Sequence, residues 1–177
     1  MIRSIIFIGL VFWSFQMRSQ ESEFSNLGEI TDAFYSALSE SDSAKRSDQF
    51  SKLFTKNAQI TAVVDRGGLS KTKNGTWQEF LQKSNSFYQS YAPTYLELER
   101  EVEYYLDLAT VHSIAQQTAT DKSTGKIHQQ KMWIQLDLVF QSNRWFIANA
   151  IWTHQIGSIQ INKALLQDTL WHNESTD

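Results

Sequence analysis

A carboxylate, three imidazoles and one misplaced guanidinium are the groups in this sequence best placed to do chemistry. Asp65 ends a predicted strand beside Gly67-Gly68. Held partly dry at a pocket edge, its carboxyl would have a raised pKa and could move a proton at carbon. In solvent it would only cap the turn over residues 66–68. His112, His128 and His154 fall on three predicted strands that should be neighbours, and cross-strand side chains meet within several ångström. Two of them could therefore face one cavity. His128 has the parity of an apolar strand face, and Gln130 beside it offers both donor and acceptor. It is either a proton-transferring base or a hydrogen-bonded histidine of a pocket rim. No His-x-His or His-Glu-x-x-His spacing occurs, so no metal site is expected. Arg100 breaks an otherwise clean alternation by falling on the apolar side. A buried guanidinium needs a partner. It pairs with Asp65 or another carboxylate, grips an acidic ligand bidentately, or snorkels to water. Tyr35, Tyr104, His112 and Trp152 are further candidates for ligand contact, with ordinary core packing the competing role for the aromatics.

These groups need a scaffold, and the chain spells one out. Met132, Ile134, Leu136, Leu138 and Phe140 alternate with Lys131, Gln135 and Asp137, the period of two of a half-buried strand. After a turn at Gln141-Ser142-Asn143, residues 145–153 are apolar on both faces, as in a strand covered on each side. Residues 94–107 form a second alternating run. It is predicted to send Leu96, Leu98, Val102, Tyr104 and Leu106 to the core and Glu97, Glu99, Glu101 and Glu103 to solvent. Strands are also predicted over 58–65 and 109–120. Helical spacing marks 27–41, a short helix capped by Ser47 and stopped at Asn57, and a helix opened by the Thr76–Glu79 capping box. That third helix carries Trp77, Phe80, Leu81, Ser84, Phe87, Tyr88 and Tyr91, and Pro93 is expected to end it. Residues 66–75, with two Gly turn signals, are expected to form an irregular loop. Residues 158–171 could form a last helix. The expected architecture is α+β: a curved, mainly antiparallel sheet with three helices on its concave face.

Composition narrows the functions. At 177 residues with 41% hydrophobic and 13% aromatic content, the chain builds one domain with a proper core. A net charge of −3 is of the wrong sign for a nucleic-acid binder. The absence of Cys excludes thiolate metal sites, Cys nucleophiles and disulfides. Residues 1–19 combine a short basic start with a dozen mostly apolar residues, the pattern of an export signal cut near Ser19. The mature protein is then periplasmic or secreted, and touches a membrane only if that segment is retained. Residues 20–26 are an acidic, Ser-rich lead without order.

Several stretches resemble the nuclear transport factor 2-like (SnoaL-like, cone-shaped) superfamily. They are the helix with Phe34-Tyr35, Leu53-Phe54-Thr55-Lys56-Asn57-Ala58 running into a strand, the Gly-containing loop before the Trp77–Phe80 helix, and Gln141-Ser142-Asn143-Arg144-Trp145-Phe146-Ile147 with Trp152 beyond. The resemblance covers residues 27–155 and leaves 156–177 as a helical extension. It implies a cone that either binds a small hydrophobic ligand or partner without catalysis, or acts as a cofactor-free isomerase, dehydratase or hydrolase, or is filled and serves dimerisation. In the enzyme reading Asp65 or His128 is the base, with Tyr35 or Tyr104 as hydrogen-bond donor. No cofactor is expected. Trp133, among polar neighbours on the outer face, suggests a homodimer through that face.

Overall fold

The computed structural model describes residues 23–65, 70–155 and 161, with backbone alone at 64, 65 and 70. The order is α1 (Leu27–Ser39), α2 (Ser43–Leu53), β1 (Phe54–Asp65), β2 (Ser70–Thr76), α3 (Trp77–Ser90), β3 (Tyr91–Tyr105), β4 (Leu108–Asp121), β5 (Ile127–Gln141) and β6 (Arg144–His154). The six strands make one sheet in the order β2-β1-β6-β5-β4-β3. Every pairing is antiparallel except that of β1 with β6. The expected α+β architecture, three helices on a curved and mainly antiparallel sheet, is what the chain adopts.

The helix ends follow from local chemistry. The Asn26 side chain accepts from the Glu29 amide at 2.9 Å and starts α1. Asp42, not Ser47, caps α2 by accepting from the Ala44 and Lys45 amides, both at 2.9 Å. The helix therefore begins before its apolar stripe does, in a polar stretch that carries no periodicity. It also ends sooner than expected. Phe54 is at once its C-cap and the first residue of β1, so Asn57 lies inside a strand. Thr76 caps α3 as expected, accepting from the Glu79 amide at 3.3 Å. That helix stops at Ser90, and Pro93 sits inside β3, an edge strand where a missing N–H is tolerated.

The sheet brings two larger corrections. Residues 70–76 are not irregular: they form β2, paired with β1 from Gln59↔Thr76 to Asp65↔Ser70. Lys71, Lys73 and Asn74 hide this strand from any hydrophobic pattern, because an edge strand exposed to water is kept polar. On β3 the facing is opposite to expectation over its first half. Tyr95 and Glu97 turn toward β4's inner residues, while Leu96 is 64% exposed. A bulge between Glu97 and Glu99 inserts one residue and reverses the parity from Arg100 onward. Yet Val102, Tyr104 and Leu106, expected in the core, are exposed because the strand runs past the helices that cover the sheet.

The even-numbered side of β5 is buried as expected: Met132, Ile134, Leu136 and Leu138 all belong to the core. Phe34 and Leu38 from α1, Phe50 and Leu53 from α2, and Trp145 and Ile147 from β6 pack into the same cluster. The β5–β6 hairpin closes on Ser142 and Asn143, both at positive φ, the two-residue turn whose twist matches the strands. On the outer face Trp133 is not bare. It packs with Ile114 and with Ile161. The export signal and, apart from Ile161, the helix expected over 158–171 fall outside the described residues. Of the lead expected to lack order, Phe24 is 9% exposed and joins the core.

Candidate functional site

The core does not reach the wide end of the cone. Beyond Met132 on β5 and Trp152 on β6 lies a cavity of about 330 Å³. Its apolar walls are Ile60 and Ala62 from β1, Phe80 and Phe87 from α3, with Met132 and Trp152. Phe80 meets Trp152 edge to face at 5.1 Å. The polar lining comes from Tyr95, Gln117, Gln130 and His154, and the exposed Lys73 and Lys83 stand at the rim.

The polar groups are tied together. Gln117, only 6% exposed, donates through Nε2 to the Tyr95 hydroxyl at 2.5 Å and accepts from the Gln130 amide. The Tyr95 amide donates to Ser39 Oγ at 2.9 Å, joining β3 to the end of α1. The Tyr88 hydroxyl donates to the Leu38 carbonyl at 2.6 Å. Burial pushes the Tyr95 hydroxyl up to about 12 and raises that of Tyr88 as well, so both hydroxyls stay neutral. Behind Tyr88 lies Arg46, 1% exposed, its guanidinium 3.5 Å from the ring centroid. Arg46 Nη1 donates to the carbonyls of Glu40 at 2.6 Å and Ser41 at 3.3 Å, and Nη2 to Asn85 Oδ1 at 3.4 Å. A cation at the carbonyl end of α1 answers the helix dipole while it backs the cavity wall.

His154 ends β6 opposite Met132 and lines the cavity. Burial lowers its pKa below the ordinary histidine value, so the imidazole is neutral at pH 7. A neutral imidazole in an apolar cavity can accept a hydrogen bond or a proton.

Of the candidate site residues singled out in the sequence, Gln130, Trp152 and His154 line this cavity; His112, His128, Tyr35, Tyr104, Arg100 and Asp65 are not among its lining residues. His128 has the inward parity, yet it lies beyond the roof. It is exposed, with its ring 6.0 Å from that of Tyr91. His112 is 7% exposed but on the outer face, its ring 5.7 Å from Trp133 and its Nδ1 without a hydrogen-bond partner among the described residues. Tyr35 is in the packed core, its hydroxyl 2.6 Å from Ser113 Oγ. Tyr104 is 74% exposed near the β3–β4 turn. Arg100 takes the internal pairing with other carboxylates, with Glu97 through Nε at 2.8 Å and with Asp32 through Nη2 at 2.5 Å. Asp65 closes β1 opposite Ser70, and its side chain is outside the description. Among the described residues no three His, Asp or Glu side chains are grouped to hold a metal ion.

Sequence reasoning had passed over Tyr95, Gln117, Lys73 and Lys83. Tyr95 was hidden by the bulge, Gln117 by the weak alternation of β4, and Lys73 by the polar edge strand. Tyr88 was visible only as one member of the α3 stripe.

No family model matches the chain, and no curated protein matches it. Solved structures do. A nuclear transport factor 2-like superfamily protein from Salmonella enterica superposes with a TM-score of 0.57 at 11% identity, over 74% of this chain and 89% of that one. A ketosteroid isomerase-like protein from Erwinia carotovora atroseptica gives 0.54 at 16% identity, over 77% and 98%. A protein from Xanthomonas campestris, provisionally assigned as a calcium/calmodulin dependent protein kinase II association domain, gives 0.55 at 16% identity, over 75% and 86%. At such identities the likeness is one of shape, and the shape is that of the nuclear transport factor 2-like fold.

Proposed function

We propose that this domain binds a small hydrophobic ligand in the cavity at the wide end of its cone, without chemistry. The observation that carries this reading is the cavity itself: about 330 Å³, walled by Phe80, Phe87, Met132 and Trp152. Small-molecule sites span about 300–1,000 Å³ and combine apolar walls with a few placed polar groups. Here Gln117 is engaged with Tyr95 and Gln130, which suits holding a ligand more than turning it over. Ala62→Phe should fill the space from β1. Purified full chain, examined by native mass spectrometry, should carry a co-purifying small molecule that the variant lacks. A parent protein with no bound or bindable apolar compound would overturn the reading.

A second reading is favoured by one observation, the half-buried, neutral His154 in the cavity lining. It makes the domain a cofactor-free enzyme in which His154, rather than Asp65 or His128, takes a proton from carbon. Incubating the protein with a hydrophobic ketone in D2O should then show exchange of the α-protons by NMR, lost in His154→Gln. No exchange in the parent removes it.

Two proposals about context accompany the first. The domain is exported on the strength of the apolar run at its N-terminus, which fractionation of expressing cells tests. It pairs with a second copy through the outer sheet face, where Leu96 and Leu98 are exposed. A monomer in sedimentation at micromolar concentration would exclude that pairing.

A further inference from the structure

The charged residues that line the cavity have one sign, although the Glu79 carboxylate lies close behind Gly75 of the lining. Among the described residues that line it, Lys73 and Lys83 are the only ones charged at pH 7, and no carboxylate joins them. This runs against the chain as a whole, whose net charge is −3. Lys73 stands on β2 directly opposite Ala62, itself a wall residue, so the register of the edge strand brings the ammonium to the mouth. It has no ion-pair partner among the described residues. Lys83 reaches the cavity from α3. Its contact with Glu79, one turn earlier, is long at 3.4 Å and exposed on both sides. Such a pair is exchanged easily for a better anion. Inside the mouth the surfaces are aromatic rings and a thioether, Phe80, Phe87, Trp152 and Met132, which suit a flat apolar body. The acidic side chains of β3 do not line the cavity.

We propose that the ligand is an amphipathic carboxylic acid: a flat apolar body lies against Phe80, Met132 and Trp152, and its carboxylate meets Lys73 and Lys83 at the mouth. The inference rests on the ligand-binding reading above and adds the class of ligand. Neither lysine is part of the core, so charge can be removed without removing the cavity.

The test is a charge series on one body, with the full chain: 2-naphthoate, 2-naphthamide and protonated 2-naphthylmethylamine, followed by calorimetric titration. Naphthoate should bind about tenfold more tightly than naphthamide at low salt, and the cation most weakly. The gap should narrow in about 0.5 M NaCl, because charges at an exposed mouth are screened. It should close in the Lys73→Gln/Lys83→Gln double variant and persist in Lys73→Arg/Lys83→Arg, while naphthamide binds all three proteins alike. Equal binding of acid and amide, stronger binding of the cation, or a gap that survives the Gln variant would overturn the carboxylate assignment and leave the ligand-binding reading standing. If none of the three compounds binds the parent protein, both fall together.

Discussion

At the narrow end of the cone Phe50 stacks on Phe54 with centroids 5.2 Å apart, and both rings are buried. At the wide end Phe80 meets Trp152 at 5.1 Å, and both rings border the cavity. One strand serves both regions: β5 gives Ile134, Leu136 and Leu138 to the packed end and Gln130 and Met132 to the open one. The difference lies in what crosses the sheet. The helices α1 and α2 bring Phe34, Phe50 and Leu53 into the core, whereas α3 brings Phe80, Phe87 and Tyr88 around the cavity. The open end is held instead by hydrogen bonds: Gln117 to Tyr95, Tyr88 to Leu38, Arg46 to the end of α1. Stability is thus concentrated where side chains interlock, and the cavity opens where they stop short of one another.

Truncating a ring at the packed end should show the larger effect. Phe50→Ala removes a fully buried ring in contact with Phe54 and Phe80 and should cost about 3–5 kcal/mol in urea denaturation. A loss below about 1 kcal/mol would mean that this end collapses easily and is not the anchor. Arg46→Ala should rank second, at about 2–3 kcal/mol, because the Glu40 and Ser41 carbonyls lose a donor and Tyr88 loses the cation behind it. Since Tyr88 is a cavity wall, this variant should also weaken binding of an apolar probe, joining the two regions in one measurement. Ala62→Phe, by contrast, should change stability by less than about 1 kcal/mol, as the ring enters space already present. The same substitution should abolish probe binding. If it destabilised the fold as much as Phe50→Ala, the wide end would be as tightly packed as the narrow one.

How far this division was legible in the sequence depended on whether the local period survived. The even side of β5 and the stripe of α3 keep their periods from end to end, so their buried residues could be read directly. The first half of β3 was read inside out, because one inserted residue near Leu98 reverses every facing on one side of it. That error concealed Tyr95 and with it the hydrogen-bonded pair to Gln117. Gln130 and Trp152 were within reach as ligand contacts because parity and apolar character put them on the inner face, and His154 was within reach as one of three imidazoles on neighbouring strands. Parity does not say where the roof ends. His128 shares the parity of Gln130 and stands outside, while His154, at the last position of β6, stands inside. The lysines of β2 carried no signal, since a polar edge strand and a polar loop look alike when only hydrophobicity is counted.

The smallest effect is expected from the protons of the open end. The folded-state pKa of His154 is lowered by burial, so the unfolded chain takes up its proton first as pH falls. Stability should therefore be unaffected by this group above about pH 7 and should decline as pH drops below about 6.5, until the folded-state pKa has been passed. Carboxylates contribute their own slope at lower pH, and subtracting the His154→Gln curve from the parent curve isolates the histidine. Phe50→Ala should shift the whole curve downward and leave that difference in place, because the narrow end holds no such group. An apolar amide bound in the cavity should deepen the desolvation of His154 and steepen the difference between pH 7 and 5. If parent and His154→Gln curves run parallel over that range, water reaches the imidazole freely. The wide end would then be an open cleft, without the dry interior on which ligand binding there depends.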